Sequence, residues 1–164
     1  MRIAVMSDLH DNIPAWDLIL RELSIENIST LINCGDTVTV STLRRMAANF
    51  NGVIHTVFGN NADRDVEWRH HEDHPNVVHH GVQGGLTLEG IRLGFVHFPE
   101  VAEVMARSGE FDVVCHGHTH LKRCERRKDC LLVNPGTAGG VFQYPSFATI
   151  DLPELKVRFL DLRM

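Results

Sequence analysis

The stretch from Arg2 to Asn61 restricts the fold more than any other part of the chain. Three short apolar runs, "RIAVMSD", "TLINCGD" and "GVIHTVFGN", alternate with two amphipathic segments. Runs this short and this apolar read as strands buried on both faces. Between the first two, "PAWDLILRELSIEN" carries Trp16, Ile19, Leu20 and Leu23 at helical spacing, with Pro14 suited to the first turn. Between the second and third, "STLRRMAANF" reads as a capped helix with Leu43, Met46, Ala47 and Phe50 on one face. Strand–helix–strand–helix–strand predicts a parallel sheet with right-handed crossovers.

The second half changes character. "GLTLEGIRLGFVHF" predicts two strands about a Glu89-Gly90 turn, and "EVAEVMARSG" a helix ended by Gly109. "FDVVCHGHTH" is a strand running into a histidine cluster. "KRCERRKDCLLVN" and "SFATIDLPELKVRFLDL" read as hairpins, and the polar "DRDVEWRHHEDHPN" as a helix with loops. The chain shows no internal repeat, linker or low-complexity tract, so its 164 residues are expected to form a single domain, 1–164. Parallel units followed by hairpins imply an α/β fold of two packed sheets with helices outside.

What ends each strand is more informative than the strands. The first ends in Asp8-Leu9-His10, the second in Gly35-Asp36 and the third in Gly59-Asn60-Asn61. The later segments end in His97 and in Gly117-His118-Thr119-His120. Ligands of α/β sheets bind beyond the carboxyl ends of the strands, so five segments can deliver oxygen and imidazole donors to one rim. Alone, Asp8 and Asp36 would pass as helix caps, Asn60 as a turn residue and His97 as a satisfied core histidine. Together they make a set suited to borderline divalent ions, which accept mixed carboxylate and imidazole shells. A two-metal site of that kind lowers the pKa of a shared water and neutralises charge during in-line phosphoryl transfer.

"SDLH", "CGD", "FGNN", "VHF", "HGHTH" and "NPGT" occur in the order seen in the calcineurin-like metallophosphoesterases. From Met1 to about Asp151 the chain resembles the small bacterial and archaeal phosphodiesterases of that superfamily. The resemblance implies a four-layer α/β/β/α sandwich of two mixed sheets flanked by helices. It also implies two divalent metal ions: Asp8, His10 and His120 on one, Asn60, His97 and His118 on the other, and Asp36 bridging. His116 stands where relatives often have an aromatic residue, and it reads as structural or as orienting a ligand. Asn134-Pro135-Gly136-Thr137 reads as a structural turn beside the ligands.

Three positions depart from the family pattern. Asn61 replaces a histidine that many of its phosphatases carry after the ligand asparagine. An amide can hydrogen-bond a phosphoryl oxygen but cannot serve as a general acid, so Asn61 is expected to contact phosphate, with substrates of good leaving-group quality. Ala62 separates Asn61 from Asp63, where the acid usually follows at once. Phe98-Pro99 replaces the usual glycine after His97 with bulkier, stiffer residues.

The expected function is a binuclear metal-dependent phosphodiesterase in which a metal-bridging hydroxide attacks in line. The rival reading, kept open by Ala62 and Phe98, is a catalytically weak or inactive metal-binding scaffold of the same fold. Manganese is the expected metal, with iron, nickel or zinc as alternatives. A formal net charge of -5 argues against general nucleic-acid binding and leaves a small phosphate ester as the partner. No apolar stretch suits a membrane, and a dimer through exposed sheet edges stays open. Cys34, Cys115, Cys124 and Cys130 form no CxxC pair, and Met1-Arg2 leads directly into a short apolar run. A cytoplasmic protein with free thiols is expected. If Lys128-Asp129 is a two-residue turn, Cys124 faces Val133 and is not bonded to Cys130. The pairs His70-His71 and His79-His80 are expected at the surface. Trp16 and Trp68 are expected to pack, Trp68 at the pocket edge.

Overall fold

The computed structural model describes residues 1–62, 64, 66 and 74–163. Among them, β1 (Arg2–Met6), β2 (Thr30–Asn33), β3 (Val53–Thr56), β4 (Val77–His79), β10 (Ser146–Asp151) and β11 (Lys156–Asp161) form one sheet, in the order β11-β10-β1-β2-β3-β4. The other sheet has the order β5-β6-β7-β9-β8, from β5 (Gln83–Leu88), β6 (Ile91–Val96), β7 (Val113–Cys115), β8 (Lys122–Arg127) and β9 (Cys130–Pro135). Strands β1 to β4 run parallel, as the alternating pattern requires, while β10 closes antiparallel on β1.

Three helices are described from end to end: α1 (Ile13–Ile25), α2 (Val40–Asn49) and α3 (Pro99–Arg107). Helix α1 begins with Asn12 accepting from the Ala15 amide at 3.1 Å, and its Pro14 lies in the first turn. Thr39 caps α2 in the same way. None of the described helices is long and apolar enough to cross a membrane.

Alternation along the strands builds the layers. In β1, Ala4 and Met6 join Trp16, Ile19, Leu43 and Met46 beneath α1 and α2. Ile3 and Val5 point the other way, into the seam between the sheets, with Ile32, Leu93, Phe95, Val113, Val133 and Ile150. In the second sheet, Val114 and Leu132 face outward to Ala102, Met105 and Ala106 of α3. Strands buried on both faces are largely apolar, and here their apolar side chains go to one core or the other, while the buried Asn33 donates to Thr56 Oγ1 at 3.0 Å. The result is the expected α/β/β/α sandwich.

The hairpins fall where the sequence places them. Glu89 and Gly90, with φ of 50° and 78°, join β5 to β6. Lys128-Asp129 joins β8 to β9 with Cys124 opposite Val133, and all four cysteines are free. Strand β4 follows the segment read as polar helix and loop, at residues for which the sequence predicts no element. His79 and His80 are also not the surface residues expected. His79 is 7% exposed, and the half-buried His80 has its Nε2 3.1 Å from Nδ1 of His55. Burial, with the charges of His55 and His79, pushes His80 down to about 4. Asp63, Trp68, His70 and His71 lie outside the described residues.

Candidate metal centre

The seam between the sheets opens at the carboxyl ends of the central strands. Asp8 and His10 follow β1, Asp36 follows β2 and Asn60 follows β3, all on the first sheet. His97 follows β6, and His118 and His120 follow β7, on the second. Five of these residues hold a left-handed backbone: Asp8, His10, Asp36, His118 and His120 have φ of 58°, 48°, 54°, 70° and 60°. That conformation turns each side chain sharply off its strand. For a residue with a Cβ it costs about 1–2 kcal/mol, and it persists where surroundings over-determine it.

The surroundings do so here. The amides of Asp8 and His10 donate to the Gly35 and Asp36 carbonyls at 3.0 and 3.1 Å. The Asp8 carbonyl accepts from Thr137 Oγ1 at 3.0 Å and from the Gly139 amide at 2.9 Å. The His118 amide donates to Asp8 Oδ2 at 3.0 Å. Two glycines leave room for the carboxylates. A Cβ on Gly59 would overlap Asp36 Oδ1, and one on Gly117 would overlap Ser7 Oγ and crowd Asp8 Oδ2.

The donor atoms converge in two overlapping groups: Asp8, His10 and His120, and Asp8, Asp36 and His97, each with its donors within 4.8 Å of one another. His120 Nε2 lies 3.3 Å from Asp8 Oδ1 and 3.4 Å from His10 Nε2. His97 Nε2 lies 3.6 Å from Asp36 Oδ2. Asn60 Oδ1 is 2.9 Å from both His97 Nε2 and His118 Nδ1. Asp8, Asp36 and His97 form a buried floor, whereas Asn60 and His118 form an exposed lip.

This set fits metal ions on an observation of its own. His97 Nδ1 sits 2.8 Å from the Cys34 carbonyl, and His120 Nδ1 sits 2.9 Å from the Val141 carbonyl. A carbonyl only accepts, so each Nδ1 carries the hydrogen. With the ring uncharged and its hydrogen on Nδ1, each Nε2 presents a bare lone pair. Those lone pairs face further acceptors: Asp36 and the Asn60 oxygen for His97, Asp8 for His120. Asp8 Oδ1 is buried and has no hydrogen-bond donor. Acceptors facing acceptors in a buried floor suit a cation held between them, and a carbonyl-anchored imidazole is the usual way of orienting a metal ligand.

The structure therefore brings together all seven predicted ligand positions. Asn61 does something sequence reasoning missed. Its amide N–H and its side-chain Nδ2 donate to Asp36 Oδ1 and Oδ2 at 2.9 and 2.7 Å, fixing the carboxylate expected to bridge. The Phe98 ring lies 5.2 Å from the His97 ring and 5.1 Å from the His118 ring, on their flanks, and leaves their donor nitrogens aimed at Asn60. His116 is buried with Nδ1 3.0 Å from the Gly117 carbonyl, and burial pushes its pKa down. Asn134 donates to the Gly117 carbonyl and to Thr119 Oγ1, both at 3.0 Å, tying down the loop that carries His118 and His120. The "NPGT" motif was the signal for that positioning role.

Comparison with known proteins agrees with this fold. The model of the calcineurin-like phosphoesterase superfamily domain matches residues 1–154. A phosphodiesterase from Methanocaldococcus jannaschii is 29% identical over 166 residues, covering 99% of each chain. The solved structure of an archaeal phosphodiesterase superposes with a TM-score of 0.91 at 28% identity, over 99% of this chain and 100% of that one. A Vps29 from Entamoeba histolytica has the same fold, with a TM-score of 0.71 at 16% identity over 99% of this chain and 100% of its own.

Proposed function

Since the chain belongs to the calcineurin-like phosphoesterase superfamily, and so is a hydrolase of phosphate esters, we propose that it cleaves small phosphodiesters at a pair of divalent metal ions. Asp8, His10 and His120 would hold one ion and Asn60, His97 and His118 the other, with Asp36 between them. Such ions, when bound, supply an activated water and neutralise charge on the phosphoryl group. Manganese is the expected metal.

The chain's own residues do the positioning. The Cys34 and Val141 carbonyls fix the tautomers of His97 and His120. Asn61 holds both oxygens of Asp36, and Thr137 holds the backbone of Asp8. The exposed Asn60 and His118 form the side from which substrate enters. Neither Asn61 nor Ala62 can donate a proton to a leaving alkoxide, which favours diesters with good leaving groups. A net charge of -5 favours a small ester over nucleic acid at large, and four free cysteines suit the cytoplasm. The observation that carries the reading is that two imidazoles, each anchored through Nδ1 to a backbone carbonyl, direct Nε2 at buried carboxylates.

The test is turnover of bis(p-nitrophenyl) phosphate and p-nitrophenyl phosphate by metal-stripped protein with manganese or nickel restored. The diester is expected to turn over faster, and Asp36→Asn to lower the rate at least about 10³-fold. Protein that binds the ion yet turns over neither ester would overturn the enzyme reading and leave a metal-binding scaffold of the same fold.

A further inference from the structure

Beside His120 stands a residue that the site as described does not use. Phe142 is 89% exposed and holds a left-handed backbone, φ 64°. Aromatic residues rarely adopt that conformation, which glycine or asparagine would take at less cost. The fold gains little core packing from a ring so exposed. The backbone that leads into it is nevertheless held. The Val141 carbonyl is bound to His120 Nδ1, and the Val141 amide donates to Thr137 Oγ1 at 3.3 Å. Thr137 in turn holds the Asp8 carbonyl. The turn presenting Phe142 is thus built on the same hydrogen bonds that position the metal ligands.

The ring itself lies against His120, with centroids 5.8 Å apart and planes 29° apart. Next to it, Tyr144 is 85% exposed. A hollow of about 330 Å³ is lined by Gly140, Phe142, Gln143 and Tyr144. A smaller one of about 110 Å³ shares Gln143 and Tyr144 and reaches His120. Aromatic surface therefore adjoins His120 at the edge of the candidate metal centre.

We propose that Phe142 is a specificity-determining residue, a stacking platform for a flat aromatic ring on one ester arm of the substrate. The proposal rests on the phosphodiesterase reading and narrows it to nucleoside or aryl esters. Stacking is the fitting interaction because the exposed surface is a ring face, and stacking on an aromatic side chain selects for a π-system rather than for hydrogen-bonding pattern.

The experiment is calorimetric titration of manganese-loaded protein with inorganic phosphate, ribose 5-phosphate, adenosine 5′-monophosphate and phenyl phosphate. Wild type, Phe142→Ala and Phe142→Trp are compared. The readout is the ratio of aromatic-ester to ribose 5-phosphate affinity, in which any general loss at the metal centre cancels. At least one aromatic ester is expected to bind about ten-fold more tightly than ribose 5-phosphate in the wild type, a size typical of one base–aromatic stack. That preference falls to about two-fold or less in Phe142→Ala and returns in Phe142→Trp. Which ester shows it identifies a nucleoside or an aryl arm. No preference in the wild type, or one that survives Phe142→Ala, overturns the platform. Failure of every ligand to bind, phosphate included, strikes the phosphoesterase reading itself and the platform with it.

Discussion

Left-handed backbone occurs in two very different settings in this molecule. At the hairpin tips, Glu89 and Lys128 adopt φ of 50° and 55° in solvent, because a two-residue connection between twisted strands requires it. At the metal rim, Asp8, His10, Asp36, His118 and His120 adopt the same conformation, with both aspartates buried. The tips are shaped by strand geometry alone, and any residue that tolerates positive φ serves there. The rim is pinned from several directions by hydrogen bonds and by glycines with no room for a methyl group. The difference teaches that the rim's strain is tied to where its side chains must point.

The largest effect expected from this contrast comes from matched glycine substitutions. Gly117→Ala should cost about 2–3 kcal/mol, because its Cβ has no space beside Ser7 and Asp8. Manganese affinity should fall at least about ten-fold with it, since Asp8 is displaced. Gly90→Ala, with nothing near its Cβ, should cost only about 1 kcal/mol and leave metal binding alone. Urea unfolding and calorimetric manganese titration of both variants check this, and equal effects at the two sites would dissolve the distinction.

Thr137→Val sharpens it by removing one pin without changing shape. The lost hydrogen bonds to the Asp8 carbonyl and from the Val141 amide should cost about 1–3 kcal/mol together, and metal affinity should weaken alongside stability. If stability falls while affinity holds, the pin serves the fold and not the site. The smallest effect is expected at a tip. Lys128→Gly relieves left-handed strain in solvent and should raise Tm by about 1–2 °C, with turnover unchanged.

Much of this arrangement is legible in the sequence because it is local. Apolar runs of four to six residues stopping at Asp8, Asp36 and Asn60 announce both the strands and the site. Glu89-Gly90 and Lys128-Asp129 announce the hairpins, including the register that sets Cys124 opposite Val133. What escapes is set by distant partners. Strand β4 is three residues long, flanked by polar residues, and exists because it pairs with β3. His79 and His80 look like surface residues until that pairing turns one inward and lays the other against His55. The hold of Asn61 on Asp36 is hidden because nothing nearby in sequence shows that Asp36 lies within reach of its amide. Phe142 gives no sign at all, since its neighbour His120 is reached only across the turn that follows β9.

The proposed ligands are divided between the two sheets: Asp8, His10, Asp36 and Asn60 on one, His97, His118 and His120 on the other. Neither sheet alone carries the full proposed set, so an ion held by all of it would be held only after the sheets have met. Such an ion would not template an early step of folding. Lodged across the seam it would act as a rivet that the sheets must shed before they part, and its influence would fall on how long the folded molecule lasts rather than on how quickly it forms.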